Sequence, residues 1–158
     1  MFAIRVVQEK VATKVKCEAL VATLKPHGLW FGGLHEQIMS CSGNLFHARA
    51  IRAMPLKVGQ VLVLEALVPH YGYNNGVIFV VEDGSSTVYD ITTAALRAAT
   101  DEGMQSICIP TFDAEVDDLC ELAQAIADFK QSEKTIEVIC AVSNFDAKCV
   151  LEDELWLV

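Results

Sequence analysis

The sequence predicts an α/β protein, a three-layer α/β/α sandwich on a mixed, mostly parallel sheet of about six strands. Three observations predict it. Strand-like and helix-like runs alternate along nearly the whole chain. Several strand-like runs are apolar at consecutive positions, as in strands covered on both faces. Two neighbouring runs, Val61–Leu67 and Val77–Val81, lie too close for a crossover helix, so they are expected to pair antiparallel.

Taken in order, Phe2–Gln8 reads as the opening strand and Cys17–Ala22 as the second, both mostly apolar. Leu34–Ser42 and Leu45–Met54 follow as helices, the first ended by Gly43. The expected hairpin comes next, with Asn75-Gly76 as its turn signal. Thr92–Asp101 reads as a helix with Asp90 as N-cap and Gly103 as terminator. Ser106–Ile109 is a short strand. Val116–Phe129 places Val116, Leu119, Cys120, Ala123 and Ala127 on one helical stripe. Ile136–Val142 is the last long strand, and a helix is expected near Ala147–Glu154.

The 158 residues fit one domain spanning 1–158, with no Pro-, Ser- or charge-rich linker to divide it. With 53% hydrophobic residues, disorder is excluded for the chain as a whole. A net charge of −9 disfavours a nucleic-acid partner, because neutralising a phosphate backbone needs clustered Lys and Arg. Mean hydropathy is high at +0.35. Even so, the richest apolar runs fall far short of the ~20 residues of a membrane span. The N-terminal run lacks a signal-peptide pattern, so a cytoplasmic location is expected. The six cysteines form no C-x-x-C pair and no His sits at finger-like spacing, so they read as reduced thiols. No metal and no cofactor is expected.

Lys25-Pro26-His27-Gly28-Leu29-Trp30-Phe31-Gly32-Gly33-Leu34-His35 is the most informative stretch. A strand runs into a polar loop, then a glycine pair opens a helix. Glycines let a backbone approach a ligand closely, and a helix N-terminus offers unpaired N–H groups to an anion. The same glycines would also serve as plain turns. Lys25, His27 and His35 add donors nearby. His35 is either a general base or anion contact, or a first-turn residue facing solvent. His47, Arg49 and His70 read as surface groups. Trp30-Phe31 would either stack a ring or plug the core. Ser40-Cys41-Ser42-Gly43 lacks the strand–elbow–helix setting of a catalytic serine and reads as a helix end.

In the order of these elements the chain resembles the macro domain, the ADP-ribose-binding α/β/α module. Glu18-Ala19-Leu20-Val21 is similar to the start of that family's Asp-Ala-Ile-Val-Asn-Ala-Ala-Asn motif, and Gly32-Gly33-Leu34-His35-Glu36-Gln37-Ile38 to its following Gly-Gly-Val-Asp-Gly-Ala-Ile. Gly76–Val81 resembles its central strand, and Gly103–Pro110 its Ser-Ile-Ala-Phe-Pro strand. The departures fall on ligand contacts. Glu9-Lys10 stands near the family's adenine-binding Asp, Lys25 at the terminal Asn, and His35 at an Asp used in some members. Pro110–Asp118 has no glycine where the family has a second Gly-rich loop, and carries Asp113, Glu115, Asp117 and Asp118 instead. Thr111 or Asp113 is expected to cap the helix there, and no anion is expected at its start.

The resemblance implies a divergent binding module for a nucleotide-like or ADP-ribose-related metabolite, without obvious catalysis. Its pocket walls would be Lys25–His35, Pro110–Asp113 and the loop around Asn144-Phe145, with Phe145 in the base-stacking region. Ligand contacts are then expected from Lys25, His27, Gly32, Gly33, His35 and Phe145. The alternatives are a hydrolase of ADP-ribosyl or phosphate esters using His35, and a ligand-free scaffold for a protein partner. A first expectation is chemical. All six cysteines should titrate as thiols in the unfolded, non-reduced protein; a lower count in a sample kept from air would overturn that reading.

Overall fold

The computed structural model describes residues 1–27, 32–66, 74–111 and 115–157. Six strands, β1 (Phe2–Gln8), β2 (Ala19–Leu24), β3 (Val61–Glu65), β4 (Gly76–Val81), β5 (Ser106–Pro110) and β6 (Ile136–Val142), form one sheet in the spatial order β1-β6-β5-β2-β4-β3. The β3–β4 pair is antiparallel and the other pairs are parallel. The helices are α1 (Gly33–Ser42), α2 (Leu45–Arg52), α3 (Val88–Asp101), α4 (Val116–Lys130) and α5 (Phe145–Leu157), with a short 3₁₀ turn at Ala12–Lys14. No helix among the described residues is long and apolar enough to cross a membrane.

Period-two alternation along apolar strands builds a core on each face. Ala19, Val21, Ile78, Val80, Ile107, Ile109, Val138 and Cys140 pack with α3, α4 and Leu151 of α5. Their neighbours Leu20, Ala22, Leu24, Val77, Phe79, Cys108, Ile139 and Ala141 pack with the 3₁₀ turn, α1 and α2. That makes three layers. It also explains the high apolar content, since a sheet covered twice has few polar positions. Cys17, Cys108 and Cys140 are buried among these residues and all six cysteines are free thiols. Burial pushes the Cys17 thiol up to about 11 and the Cys140 thiol up to about 12.

Several local expectations are corrected. The α3 N-cap is Thr87, whose hydroxyl accepts from the Asp90 N–H at 3.1 Å. Asp90 lies inside the first turn, where its charge still suits the helix dipole. Gly103 does follow the end of α3, with φ +73°. The α4 N-cap is Glu115, not Thr111 or Asp113; Glu115 N–H donates to the Asp118 carboxylate at 3.2 Å. Asp113 lies outside the described residues. Cys17 makes only an isolated bridge to Asn74, so β2 begins at Ala19 and runs on to Leu24.

Gly76 is not a turn residue. It is the first residue of β4 and pairs with Glu65 across the ladder. A Cβ there would stand 2.6 Å from the Leu64 carbonyl oxygen, so the glycine is required by close backbone approach. Gly76→Ala should therefore cost about 1–3 kcal/mol, as overpacking against backbone does. Urea unfolding measures it; an unchanged midpoint would show that the β3–β4 pair yields freely.

Candidate functional site

The crevice arises where β2 and β5 part. Their ladder is confined to Ala19↔Ile107 and Leu20↔Cys108. Beyond it β5 is drawn to β6, because both the Thr111 N–H and hydroxyl donate to the Ala141 carbonyl, at 2.8 and 3.0 Å. The end of β2 is drawn to β4, where Glu82 N–H donates to the Leu24 carbonyl at 2.8 Å. The chain also turns from one side of β2 to the other at this point, which is where open α/β sheets bind ligands.

A cavity of about 750 Å³ fills the gap. Its walls are Val21–Thr23 of β2, Ile109 and Pro110 of β5, Ser143 and Asn144 after β6, Val88, Ile91 and Thr92 of α3, and Gly32–Leu34 with Gln37 at α1. Lys10 completes the ring and is the one ionisable side chain among the described lining residues. In a chain of net charge −9, none of the described lining residues is acidic.

The start of α1 opens onto this hollow. Its N-cap, Gly32, has φ +104° and makes no side-chain cap bond. Glu36 N–H makes the first helical bond, to the Gly32 carbonyl at 3.3 Å. The N–H groups before it have no intrahelical acceptor. Gln37 ties this helix to the opposite rim: its Oε1 accepts from Ala12 N–H at 2.9 Å, and its Nε2 donates to the Lys10 carbonyl at 3.0 Å.

Of the contacts expected from the sequence, Gly32 and Gly33 line the cavity. Lys25, His27, His35 and Phe145 are not among its described lining residues. Lys25 pairs with Glu82 at 2.6 Å, His27 is exposed, and Phe145 is an exposed first residue of α5 beside lining Asn144. Gly28, Trp30, Phe31 and His70 lie outside the described residues. Lys10, Thr23, Gln37, Thr92 and Ser143 were missed, since each is polar in an ordinary local setting.

His35 and His47 correct the surface reading. His47 is 0% exposed and His35 nearly as buried, with His35 Nδ1 2.9 Å from His47 Nε2. Both rings lie against Phe79. Sequence spacing hides this, because the pair joins α1 to α2. Arg49 is half-buried and donates to the Glu65 carbonyl. Burial lowers the His35 pKa, opposed by a hydrogen bond to the Thr23 backbone. Burial and repulsion from His35 lower that of His47 to about 4.

No protein-family model and no curated protein matches the sequence. Solved structures do match in shape, and the class they define is the α/β/α sandwich. A mutant macrodomain from Oceanobacillus iheyensis with ADPR superposes with TM-score 0.81 at 14% identity, over 96% of this chain and 91% of that one. The Oceanobacillus iheyensis macrodomain with ADP gives 0.78 at 16%, over 96% and 89%. The Trypanosoma brucei macrodomain in complex with ADP-ribose gives 0.79 at 14%, over 95% and 68%. This chain therefore has the macrodomain fold.

The histidine pair predicts a pH dependence. Unfolded His47 titrates near 6.5 and folded His47 near 4, so between these values the unfolded state binds more protons. Stability is complete above about pH 6.5 and falls as the pH drops toward 4. Thermal melts of wild type and His47→Gln should converge in slope at neutral pH and diverge below it, the variant being flatter. Parallel curves throughout would contradict this.

Proposed function

We propose that this chain is a binding module for an ADP-ribose-related nucleotide, held in the cavity between the ends of β2 and β5. The observation that carries the reading is the uncapped, glycine-flanked start of α1 opening into a hollow with no acidic side chain among its described walls. Backbone N–H groups aligned with a helix dipole stabilise an anion without needing a basic surface. In a strongly acidic protein that is how a pyrophosphate can be held. Lys10 adds positive charge on the opposite rim. The cavity volume is in the range of small-molecule sites, with apolar walls for a base or sugar and a few polar groups to orient them. The solved structures of like fold with ADPR, ADP and ADP-ribose support the ligand class.

Gly32 and Gly33 are the anion seat in this reading. Lys25 is neutralised by Glu82 and contributes little net charge. The module binds without catalysis. His35, the candidate base, is buried with His47 rather than lining the cavity, which leaves a hydrolase reading without support.

The test is calorimetry and thermal shift with ADP-ribose, ADP and NAD. ADP-ribose should raise the melting temperature, by mass action on the native state. Gly33 has no positive φ and a Cβ there meets nothing within 4 Å, so Gly33→Val should fold and place its side chain in the cavity. Its affinity for ADP-ribose should fall tenfold or more, about 1.4 kcal/mol. No shift with any of the nucleotides would overturn the reading, and unchanged affinity in the variant would move the anion away from α1.

A further inference from the structure

The buried stripe of α3 is Thr92, Ala95, Leu96 and Ala99, and only its first member is polar. Thr92 is 2% exposed and lines the cavity, yet its hydroxyl makes no hydrogen bond to any described residue. The neighbouring Thr93 hydroxyl is also buried without a partner among the described residues, but it lies outside this cavity, so its setting differs from that of Thr92. Thr100, further along the helix, donates to the Leu96 carbonyl at 3.0 Å, and buried Thr111 donates to the Ala141 carbonyl. The fold draws no hydrogen bond from this hydroxyl among the described residues, and Thr92 faces the cavity with it unpaired.

The surroundings narrow what such a hydroxyl can meet. Val21, Val88, Ile91 and Ile109 also line the cavity, with Thr23 and Ser143 as the other hydroxyls among its described walls. A charged phosphate would lose its solvation here for one neutral partner, whereas the start of α1 offers it several N–H groups. A neutral hydroxyl fits both in size and in hydrogen-bonding capacity, since each hydroxyl can donate and accept.

We propose that Thr92 is a specificity contact that binds a sugar hydroxyl of the ligand from the α3 side of the cavity. This rests on the nucleotide reading above and adds to it the group that is recognised and the residue that recognises it.

The experiment measures stability and affinity of the same variants. Thr92→Val should leave the melting temperature of the ligand-free protein at or above that of wild type, since the hydroxyl makes no hydrogen bond to a described residue. Its affinity for ADP-ribose should fall about fivefold or more, the loss of one neutral hydrogen bond. Thr92→Ser, which keeps the hydroxyl, should hold affinity near wild type while melting lower. An equal or higher melting temperature with affinity unchanged overturns the ligand role of Thr92 alone. A lower melting temperature for Thr92→Val with unchanged affinity makes the hydroxyl structural and overturns it also. Failure of the wild type to bind ADP-ribose or ADP overturns the nucleotide reading, and this contact with it.

Discussion

The short β2–β5 ladder is the constraint on which the rest of the molecule depends. Two strands that paired along their full length would leave no hollow between them. Here pairing ends after Leu20 and Cys108, although β2 continues to Leu24 and β5 to Pro110. Such divergence leaves backbone groups to be satisfied elsewhere, and unpaired buried groups are costly. The bonds from Thr111 to Ala141 and from Glu82 to Leu24 answer that need, each strand turning to its outer neighbour. The opening is thus held by ordinary hydrogen bonds at its two margins. Both layers of helices then contribute to it, α1 from one face and α3 from the other.

Polar side chains in and around the crevice divide into two kinds. Gln37 spans from α1 to the Lys10–Ala12 segment, and the His35–His47 pair joins α1 to α2 against Phe79. Lys25 and Glu82 tie the chain after β2 to the chain after β4. These groups satisfy one another, so they position the walls. The start of α1 and the Thr92 hydroxyl are different: α1 has no side-chain cap, and no described residue bonds the hydroxyl. Both face the same cavity, and the proposed binding role rests on them.

The strands and helices were read closely because their signals are local. Phe2–Gln8 and Ile136–Val142 agree with the structure end to end, and α1 differs by one residue, Gly33 in place of Leu34. Errors came where a local signal had two causes. Asn75-Gly76 has the composition of a turn, but Gly76 is glycine because the Leu64 carbonyl lies against it. Asp90 has a capping side chain, yet Thr87 precedes it and α3 begins at Val88. The cavity lining was legible at Gly32 and Gly33, of which Gly32 has the left-handed backbone that favours glycine. It was illegible at Lys10, Gln37 and Thr92, which join the crevice through their position on the sheet.

The sequence by itself determined the sandwich, the two-sided apolar sheet and the glycine-flanked start of α1. These follow from side-chain periodicity and backbone freedom over a few neighbouring residues, and physics at that range needs no distant partner. Only the tertiary structure decided which polar groups face the hollow and which are consumed in holding it open. His35 bonds His47, Lys25 pairs with Glu82, and the Thr92 hydroxyl bonds none of the described residues. The reason is that a hydrogen bond's partner is chosen by strand order, register and helix placement, which bring together residues far apart in the chain, while the residues themselves carry the same donors and acceptors wherever they fall.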